Sequence, residues 1–264
     1  MSSLPVFFAG ELPPEGAETT LDGPEGRHAA TVRRLRVGKR LVLSDGRGGL
    51  AACEVLKCGR DWLRLRVLRC ETEPAPALRV TLAQALVKGE RGELAVELAT
   101  EAGVDAVLPW RASRCVARWD EGPRGAKALS RWRETARQAA KQARRGWFPE
   151  VAEPVSTPEL AQRCAAAAGC LVLHEAATDP LPALPLPTVG ELLLVVGPEG
   201  GITEAELAAL TAAGGRPVRL GPGVLRSSSA GAVALGAIGA LSQRWACAIQ
   251  VIPGATRPNK SYLK

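Results

Sequence analysis

The sequence predicts an α/β protein in which a small β domain precedes a mainly parallel sheet covered by helices on both faces. Three observations carry this. Residues 27–70 read as short alternating apolar runs broken by glycine, and residues 71–78, "ETEPAPAL", combine charge with two prolines where no regular element persists. From residue 79 onward strand-like and helix-like periodicities take turns, as a parallel sheet with crossover helices requires. The expected organisation is a β domain over 1–72, a linker over 73–78, an α/β domain over 79–247 and a loosely held tail over 248–264.

In the β domain, "DGRGG" (45–49) and "CGRD" (58–61) read as hairpin turns between alternating runs. Beyond the linker, "RVTLAQAL" (79–86) reads as a strand, "ERGELAVELATEAG" (90–103) as a helix ending at glycine, and "DAVLPW" (105–110) as a strand. A helix follows over 130–146. Then come the strand "CLVLHEA" (170–176), a proline-rich loop (180–188) and the strand "ELLLVVG" (191–197). The helix "TEAELAALTAAGG" (203–215), the strand "PVRLG" (217–221) and a small-residue helix from about Ser228 complete the order.

Composition narrows the function. A chain of 264 residues that is 46% hydrophobic can bury a core in each of two domains. No run approaches 18 apolar residues, and "MSSLPVFFAGELPPEG" lacks the basic and long apolar segments of a secretory signal, so a cytoplasmic protein without membrane contact is expected. Cys53, Cys58, Cys70, Cys115, Cys164, Cys170 and Cys247 form no CxxC pair, which argues against a disulfide framework. With only His28 and His174 besides, neither a metal site nor a Cys/His nucleophile pair is expected.

The net charge of +7 is unevenly distributed. Residues 27–69 carry a net +9 and residues 111–145 a net +8, leaving the remainder at −10. Two such blocks point to a polyanionic partner. Within the second, Arg133, Arg137, Lys141 and Arg144 follow at steps of four, four and three and share one helix face, with Arg111, Arg114 and Arg118 just upstream. The stripe reads as a phosphate-binding face or as an ordinary solvated one.

Two glycine-proline turns, "LVVGPEGGIT" (194–203) and "VRLGPGVLRSSSAG" (218–231), each end an apolar run and so stand at carboxyl ends of strands, where open α/β sheets bind ligands. Neither is a phosphate loop: the first has no Gly-Lys-Ser/Thr ending and offers Glu199 to its ligand, and the second departs from GxGxxG after its second glycine. The same lack of a glycine fingerprint at the first strand-helix turn disfavours a nicotinamide dehydrogenase. A ligand that is neutral or cationic near Glu199 fits, and S-adenosylmethionine, with its sulfonium, is such a ligand.

These two strings closely resemble the C-terminal motifs of the RsmE family, the 16S ribosomal RNA uracil-N3 methyltransferases of the SPOUT superfamily. "RHAATVRRLRVGKRLVLSDGRGG" (27–49) resembles that family's PUA-like RNA-binding domain, "LAQALVKGERGELAVELATEAGVDAVLPWRASRCVARW" (82–119) the start of its catalytic domain, and "RWRETARQAAKQARR" (131–145) also matches in place and type. The resemblance covers nearly all of residues 4–246. It implies a PUA-like β-barrel domain followed by a SPOUT α/β domain whose C-terminal segment is threaded into a trefoil knot, and a homodimer acting on 16S rRNA of the small ribosomal subunit.

For the site, the resemblance implies that the knot loops hold S-adenosylmethionine through Val196, Gly197, Pro198, Gly200, Gly201, Leu220, Gly221, Val224, Leu225, Ser228 and Ala230. Arg226 is the first catalytic candidate, as a fixed cation stabilising negative charge on the uracil carbonyls, with pairing to Glu199 as its structural alternative. Glu199 faces the sulfonium or fixes the loop. RNA contacts fall to Arg33, Arg34, Lys88, Arg114, Arg133, Arg137, Lys141, Arg144 and Arg145. Many family members carry an acidic residue just after the arginine, where this chain has Ser227, Ser228 and Ser229; that departure puts a carboxylate base in doubt, and the serines are expected to cap the last helix. It also leaves room for a non-catalytic RNA-binding or assembly factor, or for a SPOUT enzyme with another RNA target.

Overall fold

The computed structural model describes residues 4–119 and 122–245. They form two compact units that divide between Pro74 and Ala75. The expected tail over 248–264 lies outside the described residues.

The first unit is a curled mixed sheet in the order β1-β3-β4-β5-β2. Strand β1 (Val6–Phe8) runs parallel to β3 (Arg40–Ser44), while β3, β4 (Gly49–Cys58), β5 (Leu63–Thr72) and β2 (Glu18–Leu21) pair antiparallel in succession. Its core holds Phe7, Leu41, Leu43, Val55, Leu63, Leu65 and Val67. Two features depart from the sequence reading. The sheet begins at residue 6 rather than near residue 27, because β1 and β2 are edge strands of three and four residues, too short to show alternation. Between β2 and β3 the chain makes a helical turn, α1 (Gly23–Arg27), which continues as a π-helical turn over His28–Val32.

The second unit is a wholly parallel sheet, β11-β9-β10-β6-β7-β8, formed by β6 (Leu78–Ala85), β7 (Ala106–Trp110), β8 (Glu150–Val151), β9 (Gly169–Leu173), β10 (Gly190–Val196) and β11 (Arg216–Val218). Period-2 alternation divides its side chains between two cores. Val80, Leu82, Leu192, Leu194 and Val196 pack against α2 (Arg91–Glu101), α3 (Pro123–Gln142) and α6 (Ser227–Leu241). Ala83, Ala85, Leu193 and Val195 face α4 (Thr157–Ala166) and α5 (Glu204–Ala212).

Strand β8 and helix α4 are absent from the sequence reading, although α4 opens with a capping box in which Ser156 and Glu159 exchange hydrogen bonds. Helix α3 starts seven residues earlier than the expected 130, with Gly122 at its N-cap and Pro123 in its first turn. Contrary to the cysteine reading, Cys164 and Cys170 form a disulfide. The short return from α4 into β9 brings their Cα atoms to 5.5 Å, a spacing that scatter in sequence does not reveal. No helix among the described residues is long and apolar enough to cross a membrane. Among them, too, no three His, Cys, Asp or Glu side chains gather as metal ligands.

Candidate active site

Strand β10 delivers the first glycine turn to the carboxyl edge of the sheet. Gly201 holds φ +76°, a left-handed conformation suited to glycine, and its amide donates to Pro198 O at 2.9 Å. A Cβ on Gly197 would lie 2.7 Å from Ile202. The turn is fastened by buried Glu206, whose Oε2 accepts from the amide and hydroxyl of Thr203 while Oε1 accepts from the amide and hydroxyl of Ser113 and from Thr157 Oγ1. Burial alone would raise the Glu206 pKa. These hydrogen bonds to the ionised form prevail, and it lies below its ordinary value. Arg114 donates to Gly200 O at 3.1 Å from outside the turn.

The second turn starts from β11 at the sheet edge and crosses back to α6, which lies over β6 and β10. A Cβ on Gly221 or Gly223 would meet nothing within 4 Å, and neither glycine has positive φ. Unlike Gly197 and Gly201, then, they answer no demand of the fold itself, and their bare backbone leaves room for a close approach. Arg226 forms the N-cap of α6 in extended conformation. Its guanidinium is exposed and has no ion-pair partner among the described residues.

The two turns meet through Ser227. Its hydroxyl donates to Gly197 O at 2.6 Å and accepts from Gln84 Nε2 at 3.0 Å. Gln84 stands near the carboxyl end of β6, in register with Val196 of β10, and has no exposed surface. One hydrogen-bonded chain thus links β6, the end of β10 and the start of α6, although residues 84 and 227 are 143 positions apart.

Comparison with known proteins is consistent along most of the chain. Residues 73–239 match the RNA methyltransferase domain model and residues 21–68 the RNA methyltransferase PUA domain model. The chain is 56% identical to a ribosomal RNA small subunit methyltransferase E of Mycobacterium bovis, covering 91% of this chain and 93% of that one. This chain belongs to that family. The Bacillus subtilis methyltransferase E is 32% identical over 85% of this chain and 90% of its own length. A solved Neisseria gonorrhoeae methyltransferase E, bound to S-adenosyl methionine, superimposes with a TM-score of 0.83 at 28% identity, covering 90% of this chain and 98% of that one.

In this chain the residues expected at the donor loops, Val196 to Gly201 and Leu220 to Leu225, converge on one edge of the sheet. Ser228 and Ala230 are buried in the first turn of α6, and Ala230 belongs to the hydrophobic core. Arg226 does not pair with Glu199; the cation nearest that carboxylate is Arg91, at 4.0 Å. The serines do not cap α6. The N-cap is Arg226, Ser227 turns to the first loop, and Ser229 donates back to Arg226 O.

The basic stripe divides. Arg137 and Arg144 are exposed, but Lys141 is buried, and Arg133 donates to Val151 O and to Glu153. Arg145 donates to Thr100 O and Val104 O and pairs with Asp105. Lys141, buried on α3, and Arg145, held by Thr100 O, Val104 O and Asp105, are thus turned into the fold rather than to solvent. Arg114 likewise reaches the donor loop, whereas Lys88, Arg33 and Arg34 are exposed. Sequence reasoning missed Gln84, Ser227 as a link, and Glu206. Only Glu206 carried a local signal, the T-x-x-E of its capping box.

Proposed function

We propose that this chain transfers the methyl group of S-adenosylmethionine to N3 of a uridine in 16S rRNA of the small ribosomal subunit, acting in the cytoplasm as a homodimer. The observation that carries this reading is the meeting of two glycine turns from non-adjacent strands, joined by Ser227 and Gly197 beside an exposed guanidinium without an ion-pair partner among the described residues. The residues present suit the donor. Gly221 and Gly223 offer unobstructed backbone, the edge carries Glu199 rather than a phosphate-binding lysine, and a buried acceptor, Gln84 Oε1, has no partner. When bound, S-adenosylmethionine supplies a methyl group activated by its sulfonium.

The chain's own residues do the rest. Main-chain groups of 197–201 and 220–225 hold the adenosine, with Glu206 and Arg114 keeping the first turn in shape. N3 of uracil is a weakly acidic imide that gives its proton to solvent water, since serines rather than a carboxylate follow Arg226, and Arg226 stabilises the charge that spreads onto the carbonyl oxygens. The Arg91 contact supports a loop-fixing role for Glu199. Arg33, Arg34, Lys88, Arg137 and Arg144 meet RNA phosphates, and recognition rests on folded RNA and a splayed-out base. Exposed Val224, Leu225, Val233 and Leu241, on the second turn and α6, support the dimer face. The return of the chain from edge strand β11 to α6 over β6 and β10 supports the knotted threading.

Because Ser227 links the two turns, the serines no longer favour a non-catalytic protein. Incubation with labelled S-adenosylmethionine and small subunits lacking the modification, followed by nucleoside analysis, tests the reading. N3-methyluridine is expected. Label in another nucleoside overturns the target, and donor binding without label overturns the enzyme.

A further inference from the structure

The Gln84 amide has one orientation only. Nε2 donates to Ala85 O at 3.2 Å and to Ser227 Oγ at 3.0 Å, and the Ser227 proton is committed to Gly197 O. A flipped amide would set its oxygen against the Ala85 carbonyl and against a hydroxyl with no proton left to give. Oε1 is thereby fixed as a buried acceptor without a hydrogen-bond partner, the one such side-chain atom among the described residues. Native proteins seldom leave such an atom unpaired unless it has a use. It belongs to a fully buried side chain at the carboxyl edge, one amide's width from the group that joins the two donor turns, and no side chain caps the adjacent start of α6.

We propose that Gln84 is a donor-positioning residue with two separable roles. Its Nε2, through Ser227, fixes the Gly197 turn and the backbone next to Arg226. Its Oε1 accepts a hydrogen bond from an N–H or O–H group of bound S-adenosylmethionine. The inference rests on the donor reading above and deepens it. Phe, Leu or Met at this position would fill the space but accept nothing, so the acceptor Oε1 serves the ligand rather than the core.

Calorimetric titration with S-adenosylmethionine separates the roles. S227A breaks the link yet leaves Oε1, and is expected to weaken the donor about threefold; Q84L removes both, and is expected to weaken it at least tenfold. The melting temperature of free Q84L should fall no further than that of free S227A, which loses the same link, while the rise on adding donor shrinks more for Q84L, since the bond to Oε1 exists only in the complex. Q84E, which keeps an acceptor oxygen, should bind more tightly than Q84L. The proposal is overturned if Q84L binds as tightly as S227A, or if its free form melts far lower and its donor affinity is intact. If Q84L does not fold, Q84E against Q84A decides: an affinity for Q84E no better than for Q84A overturns it. Failure of the unaltered protein to bind the donor removes the donor reading itself, a result distinct from equal binding by all forms.

Discussion

The two edges of the parallel sheet use the same chemistry to opposite ends. At the amino edge, before β7, buried Asp105 accepts from Val80 N and pairs with both Arg145 and Arg244; Arg244 also donates to Leu78 O and Gly103 O. Every strong donor there has an acceptor inside the chain. At the carboxyl edge Arg226 is exposed and, among the described residues, neither it nor buried Gln84 Oε1 has a partner, and Gly221 and Gly223 face open space. Arginine marks both edges. What separates a structural arginine from one held for a ligand is whether the protein itself completes its hydrogen bonds.

The comparison breaks most visibly at Asp105. D105A leaves two part-buried guanidinium groups without their buried carboxylate partner, and the expected loss of stability in urea unfolding is about 3 kcal/mol. Donor affinity of the folded fraction should not change. Next comes the opposite edge: R226A should lower kcat by ~10²–10³-fold, the size found for removing one preorganised donor to a developing anion, while unfolding stays unaltered. R226K restores charge without the planar fork and should recover only part of the rate. An R226A protein that unfolds more easily, or a D105A protein that folds as before, would erase the distinction between the edges.

The sequence made some of this contrast legible. Alternation and glycine placed β6, β7, β10 and α5 correctly, and both turns at the carboxyl edge were visible as glycine-proline ends of apolar runs. The pairing of arginines was not, because it depends on contacts across 41 and 139 residues, as Arg145 to Val104 O and Arg244 to Asp105 show. The serine run misled for a similar reason. Serine before a helix is a cap by local rules, yet a hydroxyl prefers the buried carbonyl that the distant Gly197 presents. Helix α4 was missed despite a local signal, its capping box, since ten residues with two buried side chains show little periodicity.

Glu206 sharpens the carboxyl edge further. Its folded-state pKa lies below the ordinary 4.5, so the stability it contributes is fully present above that value and is lost as pH falls through the lower folded one. E206Q cannot accept from all five donors at once and should cost roughly 1–3 kcal/mol, measured near neutral pH, by leaving part-buried donors unpaired. Its stability should also fall less steeply than that of the unaltered protein in the acid range below pH 4.5. An identical acid slope would mean that another carboxylate controls it.

The smallest expected effect tests the division within the basic stripe. If Arg137 and Arg144 neutralise RNA phosphates, removing both should reduce the slope of log affinity against log salt by about 0.7–0.9 per lost contact and leave melting unchanged. Arg145 differs only by one position in the sequence, but its guanidinium is held by Thr100 O, Val104 O and Asp105. R145A should therefore lower the melting temperature and keep the salt slope. The paired measurement is decisive because composition treats the three arginines alike: an equal change of slope for R145A and for R137A/R144A would return the whole stripe to RNA binding and make the buried contacts of Arg145 incidental.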